Sequence, residues 1–138
     1  MTDLVRLSFS VDSPLADKLE ELRLGAGYEN RSEYIRDLIR ARLVEEEWRT
    51  DGEAFGAITI LFDHHARGVH ERLTDLQHDH HDEILATTHV HLDHDLCAEV
   101  ILARGAASTL REIADGLRQQ KGVLHAALSM SSTGRELK

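Results

Sequence analysis

The sequence has few of the features that mark secreted or membrane proteins. It contains one cysteine among 138 residues, which excludes an intrachain disulfide and leaves Cys97 as a free thiol or a metal ligand. Its longest apolar runs, such as Ala57–Phe62, are far too short to cross a bilayer. The amino-terminal stretch lacks a positively charged flank before an apolar core, so no signal peptide is predicted. We therefore expect a cytoplasmic protein with no membrane partner.

Basic residues are also outnumbered in this chain. The 16 Lys and Arg residues face 25 Asp and Glu residues, and the formal net charge is −9. Phosphate affinity comes from clustered Lys and Arg, so this balance argues against a nonspecific coat for nucleic acid. It does not exclude a small, locally basic surface that reads DNA. Weak affinity for DNA without an activating signal would fit a regulated repressor.

The chain begins with an alternating segment that leads into a helix. Apolar and polar residues alternate from Leu4 to Val11, which is typical of a half-buried strand. Asp12 or Ser13 can cap the helix that follows, with Pro14 in its first turn. This helix should stop at one of the two glycines within residues 25–27.

A second helix start follows directly. Ser32 can cap this helix, or Asn30 can do so as part of a capping box with Glu33. Its predicted buried face consists of Tyr34, Ile35, Leu38, Ile39 and Leu43. One strand and two helices cannot close a core, and a lone strand lacks a partner. We expect the strand to pair with its own copy across a two-fold axis.

This pattern resembles the ribbon–helix–helix DNA-binding domain over Leu4–Val44. The resemblance implies base readout by the polar face of a two-stranded ribbon and phosphate binding at the start of the second helix. The matching positions are Arg6, Ser8 and Ser10 on the ribbon, and Asn30, Arg31 and Ser32 at the helix start. The alternative is that the ribbon residues are only the wet face of an edge strand.

The second half alternates strands and helices after a break near residue 50. We therefore predict two domains, 1–50 and 51–138, in an α+β chain. The predicted elements are a strand at Phe55–Asp63, a helix at His64–His81, strands at Ile84–Leu92 and Leu96–Gly105, a helix at Ala106–Gly122, and a strand at Val123–Met130. This β-α-β-β-α-β order is typical of the ferredoxin-like fold.

The stretch from Gln77 to Cys97 holds six of the chain's ten histidines. His89 and His91 are two apart on a strand, so they should share one face. Cys97 follows a turn and can lie beside His91 across the ladder. These side chains predict a metal site that still needs a fourth ligand. One of His78, His80 and His81 could supply it, within the chain or from another subunit.

The histidines are also compatible with roles other than metal binding. His64, His65, His70, His94 and His125 can be ordinary surface residues, and a cluster of histidines can also act as a pH switch. If the site binds metal, imidazoles with a thiolate suit tetrahedral Zn²⁺ or planar Cu²⁺ and Ni²⁺. Ligand type therefore does not identify the metal.

The combined halves, with the pattern H…HVH…C, resemble the NikR family of nickel-responsive transcriptional regulators. The resemblance covers nearly the whole chain. It implies a planar Ni(II) site with His89, His91 and Cys97 of one subunit and His78 of another. The carboxyl-terminal domain would be ACT-like and would form the centre of a homotetramer, a dimer of dimers. The sequence departs from the family at Asp79, within a run often richer in histidine.

The resemblance also implies a second hard cation, such as K⁺, between the domains at Glu33 and Asp37, although the two can be an ordinary solvated acidic pair. We expect a regulator, not an enzyme, that represses nickel-uptake genes at a palindromic operator when Ni(II) is bound. The alternatives are a sensor of copper, zinc or cobalt, a ribbon–helix–helix antitoxin, and a metal-dependent enzyme.

Overall fold

The computed structural model describes residues 3–138, and the chain divides into two compact units, Met1–Ala41 and Arg42–Lys138. The division falls inside a helix, whose last turns group with the second unit. The predicted domain limits at residues 50 and 51 stay a prediction. Among the described residues, no helix has the length and apolar character needed to cross a membrane.

The two helices of the first unit begin where the capping signals place them. Helix α1 spans Ser13–Gly25 with Asp12 as its N-cap residue, although that side chain makes no capping hydrogen bond. Helix α2 spans Arg31–Arg49, and Oδ1 of Asn30 accepts a hydrogen bond from the backbone N–H of Glu33 at 2.8 Å. The side chain that caps α2 is therefore Asn30 rather than Ser32.

The first unit buries almost nothing by itself. Helix α1 has no buried residue, and Tyr34 is the buried residue of α2. Residues 3–11 form no strand in the single chain, so the strand predicted at Leu4–Val11 is not formed here, because its ladder needs a second strand. The rest of the predicted buried face of α2 is also at least partly exposed: Ile35, Leu38, Ile39 and Leu43.

The second unit has the β-α-β-β-α-β order predicted from the sequence. Its elements are β1 (Glu53–Asp63), α3 (Val69–Asp79), β2 (Ile84–His91), β3 (Leu96–Ala106), α4 (Ala107–Arg118) and β4 (Val123–Ser132). The four strands form one sheet in the order β2-β3-β1-β4, with antiparallel neighbours throughout. The α+β class is confirmed.

Both predicted helices of this unit are shorter than expected. Residues 64–68 form a turn, and α3 begins only at Val69, because Gly68 adopts a left-handed φ of 72°. Helix α4 ends at Arg118, and Gly122, with φ of 99°, leads into β4. The predicted helices at His64–His81 and Ala106–Gly122 were therefore too long.

The core lies between one face of the sheet and the two helices. Alternate residues of β1 are buried, as expected for a strand covered on one face. Helix α4 contributes Leu110, Ile113 and Leu117, and α3 contributes Val69 and Leu73. Cys97 belongs to the same buried cluster, so the thiol lies at the end of β3 on the helix-covered face.

We expect Gly122→Ala to destabilise the protein more than Gly134→Ala. Both glycines have a positive φ, +99° and +83°, which strains any residue with a side chain. A Cβ at position 122 would also lie 2.5 Å from the Cβ of Ala66, whereas one at position 134 meets nothing within 4 Å. Urea unfolding at one protein concentration should show an extra loss of about 1–3 kcal/mol for Gly122→Ala. Equal losses would contradict this packing.

Candidate metal centre

The hairpin of β2 and β3 carries three of the four predicted metal ligands, His89, His91 and Cys97. Its turn is closed by a hydrogen bond from the backbone N–H of Leu92 to the carbonyl of Leu96 at 2.9 Å. Oδ1 of Asp93 accepts hydrogen bonds at 2.8 Å from the backbone N–H groups of Asp95 and Leu96. This turn sets the register in which His91 lies opposite Cys97.

The register places His89, His91 and Cys97 on the same face of the sheet. His89 lies opposite Glu99, and its ring centroid is 4.8 Å from that of His91. Val90 points to the other face by strand alternation. The predicted arrangement of the two histidines on one face, with Cys97 across the ladder, is confirmed.

The sulfur of Cys97 has two imidazole neighbours. Its Sγ lies 3.2 Å from Nδ1 of His91 and 3.4 Å from Nδ1 of His64. The donor atoms of these three residues all lie within 4.8 Å of one another. Two imidazoles and a sulfur are donors that suit a borderline divalent ion such as Ni²⁺, Zn²⁺ or Cu²⁺, so these residues fit the metal that the sequence pattern predicts.

The sequence interpretation missed His64, which it grouped with possible surface histidines. The strand order explains the contact, because β1 is the neighbour of β3 and Asp63 pairs with Leu96. The backbone N–H of His64 then donates to the carbonyl of Asp95 at 2.7 Å. The predicted ferredoxin-like order was the signal that could have revealed this, because it makes β1 and β3 neighbours.

Burial acts on both the sulfur and the imidazole of His64. It raises the pKa of the Cys97 thiol, and the nearby charges of Glu99 and Asp93 raise it further. Burial also lowers the pKa of His64, with help from the neighbouring histidines. At neutral pH the metal-free centre therefore holds a protonated thiol and a neutral imidazole on His64.

A chain of side-chain hydrogen bonds supports His89. Its Nδ1 lies 3.3 Å from Oε1 of Glu99. The carboxylate accepts a hydrogen bond from this nitrogen when the nitrogen carries the ring proton. The other oxygen of Glu99 accepts from Nε2 of Gln77 at 3.1 Å, and the Gln77 carbonyl accepts from the Thr87 hydroxyl at 2.8 Å. This tautomer leaves Nε2 of His89 free to bind a metal.

The other predicted ligand, His78, lies apart from the sulfur. It is exposed in the last turn of α3, where it lines a groove with His81, Thr87 and Glu99. Among residues 3–138, it is not part of the cluster around Cys97. Since His78 was expected to act on another subunit, the ligand set of His78, His89, His91 and Cys97 stays a prediction.

The predicted DNA contacts all belong to the first unit. Arg6, Ser8 and Ser10 are exposed in the extended segment before α1. At the start of α2, Asn30 serves as the helix cap and Arg31 forms an ion pair of 2.7 Å with Glu20. Ser32 is exposed. These roles stay predictions.

The predicted cation ligands Glu33 and Asp37 face basic groups in this chain. Asp37 is 3.0 Å from Arg40 and accepts a hydrogen bond from the Tyr28 hydroxyl. That hydrogen bond is the main reason that the pKa of Asp37 is lowered. Glu33 lies 3.8 Å from Arg36. Both carboxylates therefore have partners without a cation, and the cation site stays a prediction.

Comparison with known proteins identifies both halves of the chain. A family model described as the NikR C terminal nickel binding domain matches residues 55–131. A model described as a ribbon-helix-helix protein of the copG family matches residues 5–46. This chain belongs to the NikR family. Membership confirms the resemblance stated from the sequence, and NikR proteins are nickel-responsive transcriptional regulators rather than enzymes.

Individual relatives support the NikR assignment over the full chain. One from Solibacter usitatus is 47% identical over 139 residues and covers 100% of both chains. One from Geobacter sulfurreducens is 46% identical over 138 residues and covers 99% of each. Their descriptions assign both as nickel-responsive regulators. An uncharacterized Thermotoga maritima protein matches 56% of this chain, and 96% of its own, with a TM-score of 0.52 and 15% identity, which concerns the fold alone.

Metal uptake at this centre should release a proton from Cys97. The raised thiol pKa means that the sulfur is protonated at neutral pH, and only the thiolate binds metal. Calorimetric titration with Ni²⁺ at pH 7, in buffers of different ionisation enthalpy, should show release of about one proton per ion. The apparent affinity should rise with pH until the thiol pKa is crossed. Binding to wild-type protein with no proton release would contradict the protonated thiol.

Glu99→Ala should weaken nickel binding by about 10- to 100-fold, the usual loss when a group that orients a ligand is removed. The substitution removes the acceptor for Nδ1 of His89. Glu112→Ala is the matched control, because Glu112 is exposed on α4. Competition with a chelator measures both affinities. An unchanged affinity for Glu99→Ala would show that Glu99 does not position His89.

Proposed function

We propose that this chain is a nickel-dependent repressor that binds a palindromic DNA operator as a homotetramer and controls nickel-uptake genes. One observation carries the metal half of the proposal. His91 and Cys97 lie opposite each other on the face that also carries His89, and Nδ1 of His91 is 3.2 Å from Sγ of Cys97. A regulator of chromosomal genes acts in the cytoplasm, where a free thiol is also expected to stay reduced.

The proposed ligands are His89, His91 and Cys97 of one subunit and His78 of another. Glu99 holds His89 with one ring nitrogen available. His78 is exposed at the end of α3, where a second copy can reach it. These imidazoles and the thiolate would hold the ion, which would supply Lewis acidity when bound. Exposed apolar side chains favour self-association at the edge strand β2, namely Leu85 and Val90 within it and Leu92 directly after it.

The single-chain cluster of His64, His91 and Cys97 supports a second candidate metal. Its three donors come from one subunit, and a tetrahedral zinc ion bound there would take water as a fourth ligand. Zinc would therefore bind without bridging subunits. DNA binding would distinguish the two sites. An ion that bridges subunits would link them, whereas an ion held within one chain would not.

The first unit supports the proposed DNA binding because several of its apolar side chains are exposed in the single chain. Val5, Leu7 and Phe9 are 72%, 78% and 67% exposed in the single chain. An apolar groove in the same unit is lined by Phe9, Val11, Leu15, Leu19, Leu22 and Ile35. A second copy that pairs its own strand would cover this surface and complete a ribbon.

The polar side of that ribbon would contact DNA. In a paired strand, Arg6, Ser8 and Ser10 would face away from the apolar positions and would read base edges. Many helix arginines already pair with acids, as Arg31 does with Glu20, whereas Arg6 has no ion-pair partner among residues 3–138. The start of α2, with Asn30, Arg31 and Ser32, would hold a phosphate.

Metal binding and DNA binding would be coupled through the assembly. Two heads on one tetramer gain effective concentration when both reach the operator. A ligand that prefers this arrangement shifts the population toward it. The turn at residues 64–68 carries His64, whose Nδ1 is 3.4 Å from the Cys97 sulfur, and the end of α3 carries His78, so a bound ion would order both segments. A hard cation such as K⁺ at Glu33 and Asp37 is part of the same proposal.

The decisive experiment separates metal binding from DNA binding. A duplex selected from a random pool by the nickel-loaded protein serves as the probe, in gel shifts titrated separately with Ni²⁺, Cu²⁺, Zn²⁺ and Co²⁺. We expect retardation with Ni²⁺ and a thiolate-to-metal absorption band in the same complex. Cys97→Ala should lose both signals, because it removes the sulfur donor.

Arg6→Ala is the matched variant for the DNA surface. It should keep the absorption band and the tetramer mass but lose retardation, because it removes a proposed base contact worth about 1–3 kcal/mol. Full nickel-dependent retardation by Cys97→Ala would overturn the metal assignment. Stronger retardation with Zn²⁺ than with Ni²⁺ would favour zinc as the bridging metal, whereas zinc binding without retardation would favour the single-chain cluster.

A further inference from the structure

The side chain of Arg72 joins two turns that lie outside its own helix. Arg72 is half-buried near the start of α3. Its Nη1 donates to the carbonyl of Arg67 at 2.8 Å, and its Nη2 donates to the carbonyl of Lys121. Arg67 belongs to the turn at residues 64–68, and Lys121 belongs to the turn that leads into β4. One guanidinium therefore fastens two turns that are far apart in the sequence.

Close packing brings the same two turns together. The backbone N–H of Asp63, at the end of β1, donates to the carbonyl of Gly122 at 2.9 Å. A Cβ at position 122 would lie 2.5 Å from the Cβ of Ala66, and a Cβ at position 68 would lie 2.9 Å from Nη1 of Arg72. Glycine at these two positions leaves the room that Ala66 and the guanidinium occupy.

The fastened turn carries the imidazole that lies against the Cys97 sulfur. The backbone N–H of His64 donates to the carbonyl of Asp95 at 2.7 Å, and its Nδ1 is 3.4 Å from Sγ of Cys97. Cys97 is 0% exposed, although it is only the second residue of β3 and lies near the hairpin turn. The turn at residues 64–68 therefore helps to separate the sulfur from solvent.

This turn has little burial of its own to keep it in place. None of residues 64–68 is fully buried, and segments with few buried apolar contacts open locally at a small cost in free energy. Nε of Arg72 is buried and has no hydrogen-bond partner among residues 3–138, which also costs free energy. The closed turn is thus only modestly favoured, and the two hydrogen bonds of Arg72 weigh heavily in its stability.

We propose that Arg72 keeps the turn at residues 64–68 closed over the Cys97 sulfur, and that opening of this turn gives an ion or a small reagent access to the sulfur. Its hydrogen bonds end on backbone carbonyls rather than on a proposed ligand. Arg72 is therefore a positioning residue, which acts through the turn. The part that concerns nickel rests on the proposed function, whereas the closure of the turn does not.

Alkylation of the single cysteine reports this closure without metal or DNA. The full chain is stripped of metal with a chelator and treated with iodoacetamide at one alkaline pH, and the modified fraction is followed by mass. Arg72→Ala should react about tenfold faster than the wild type, because the turn loses both hydrogen bonds that fasten it. Arg111→Ala is the matched control, since Arg111 is exposed on α4, and it should react at the wild-type rate.

The same measurement in urea, well below the unfolding transition, separates opening of the turn from unfolding of the whole domain. Opening of one turn exposes little surface, so the rate for Arg72→Ala should hardly change with urea. A rate that climbs steeply with urea would overturn the proposal, because the sulfur would then be reached by unfolding. Equal rates for Arg72→Ala and the wild type would also overturn it, as would an equal acceleration in Arg111→Ala.

Rapid mixing of the metal-free chain with Ni²⁺ tests the path of the ion. The thiolate-to-nickel absorption band should form faster in Arg72→Ala than in the wild type, by a factor similar to that found for alkylation. Faster alkylation with unchanged formation of the band would overturn the role of the turn in metal entry. Failure of the proposed function looks different, because the band would then be missing from the wild type as well, while the alkylation rates would still differ.

Discussion

The register of the β2–β3 hairpin determines what the second half of this chain can bind. His91 lies opposite Cys97, and His89 lies opposite Glu99. Slipping the register by one residue would move Cys97 away from His91, because side chains alternate between faces. The buried residues of β3 resist such a slip, since Ile101 and Ala103 share the face of Cys97. The metal centre is therefore held by the same burial that stabilises the sheet.

Burial of Cys97 has an opposing consequence for its chemistry. A buried thiol resists ionisation, and its raised pKa makes it a poor nucleophile in the metal-free protein. A divalent ion reverses this preference by replacing the proton. The neutral imidazole of His64 needs no such exchange. The centre thus combines a Cys97 thiol, which must lose its proton before it binds a metal, with a His64 imidazole that is already neutral.

The two units differ in how far they are complete as single chains. The second unit closes a core around Ile58, Leu110 and Ile113, and places Cys97 at its edge. The first unit has two helices, of which α2 is capped by Asn30, but it buries little besides Tyr34. Exposed apolar residues on both sides of Arg6 have no cover within the chain. This difference explains why a metal centre can be described from one chain, whereas the proposed DNA-binding ribbon would need a second copy.

The sequence by itself determined the features that depend on neighbours along the chain. Pro14 and Asn30 mark the starts of two helices, and alternation marks the strands of the sheet. His89, His91 and Cys97 could be placed together because they belong to one hairpin. The sequence did not reveal that residues 64–68 form a turn, because helical spacing continues through them while Gly68 adopts a left-handed φ.

Only the tertiary structure brought His64 to Cys97 and His65 to Asp95. These residues are 33 and 30 positions apart, and they meet because β1 lies beside β3 in the sheet. Helix and turn signals act over a few residues, whereas such contacts depend on which strands become neighbours when the core closes.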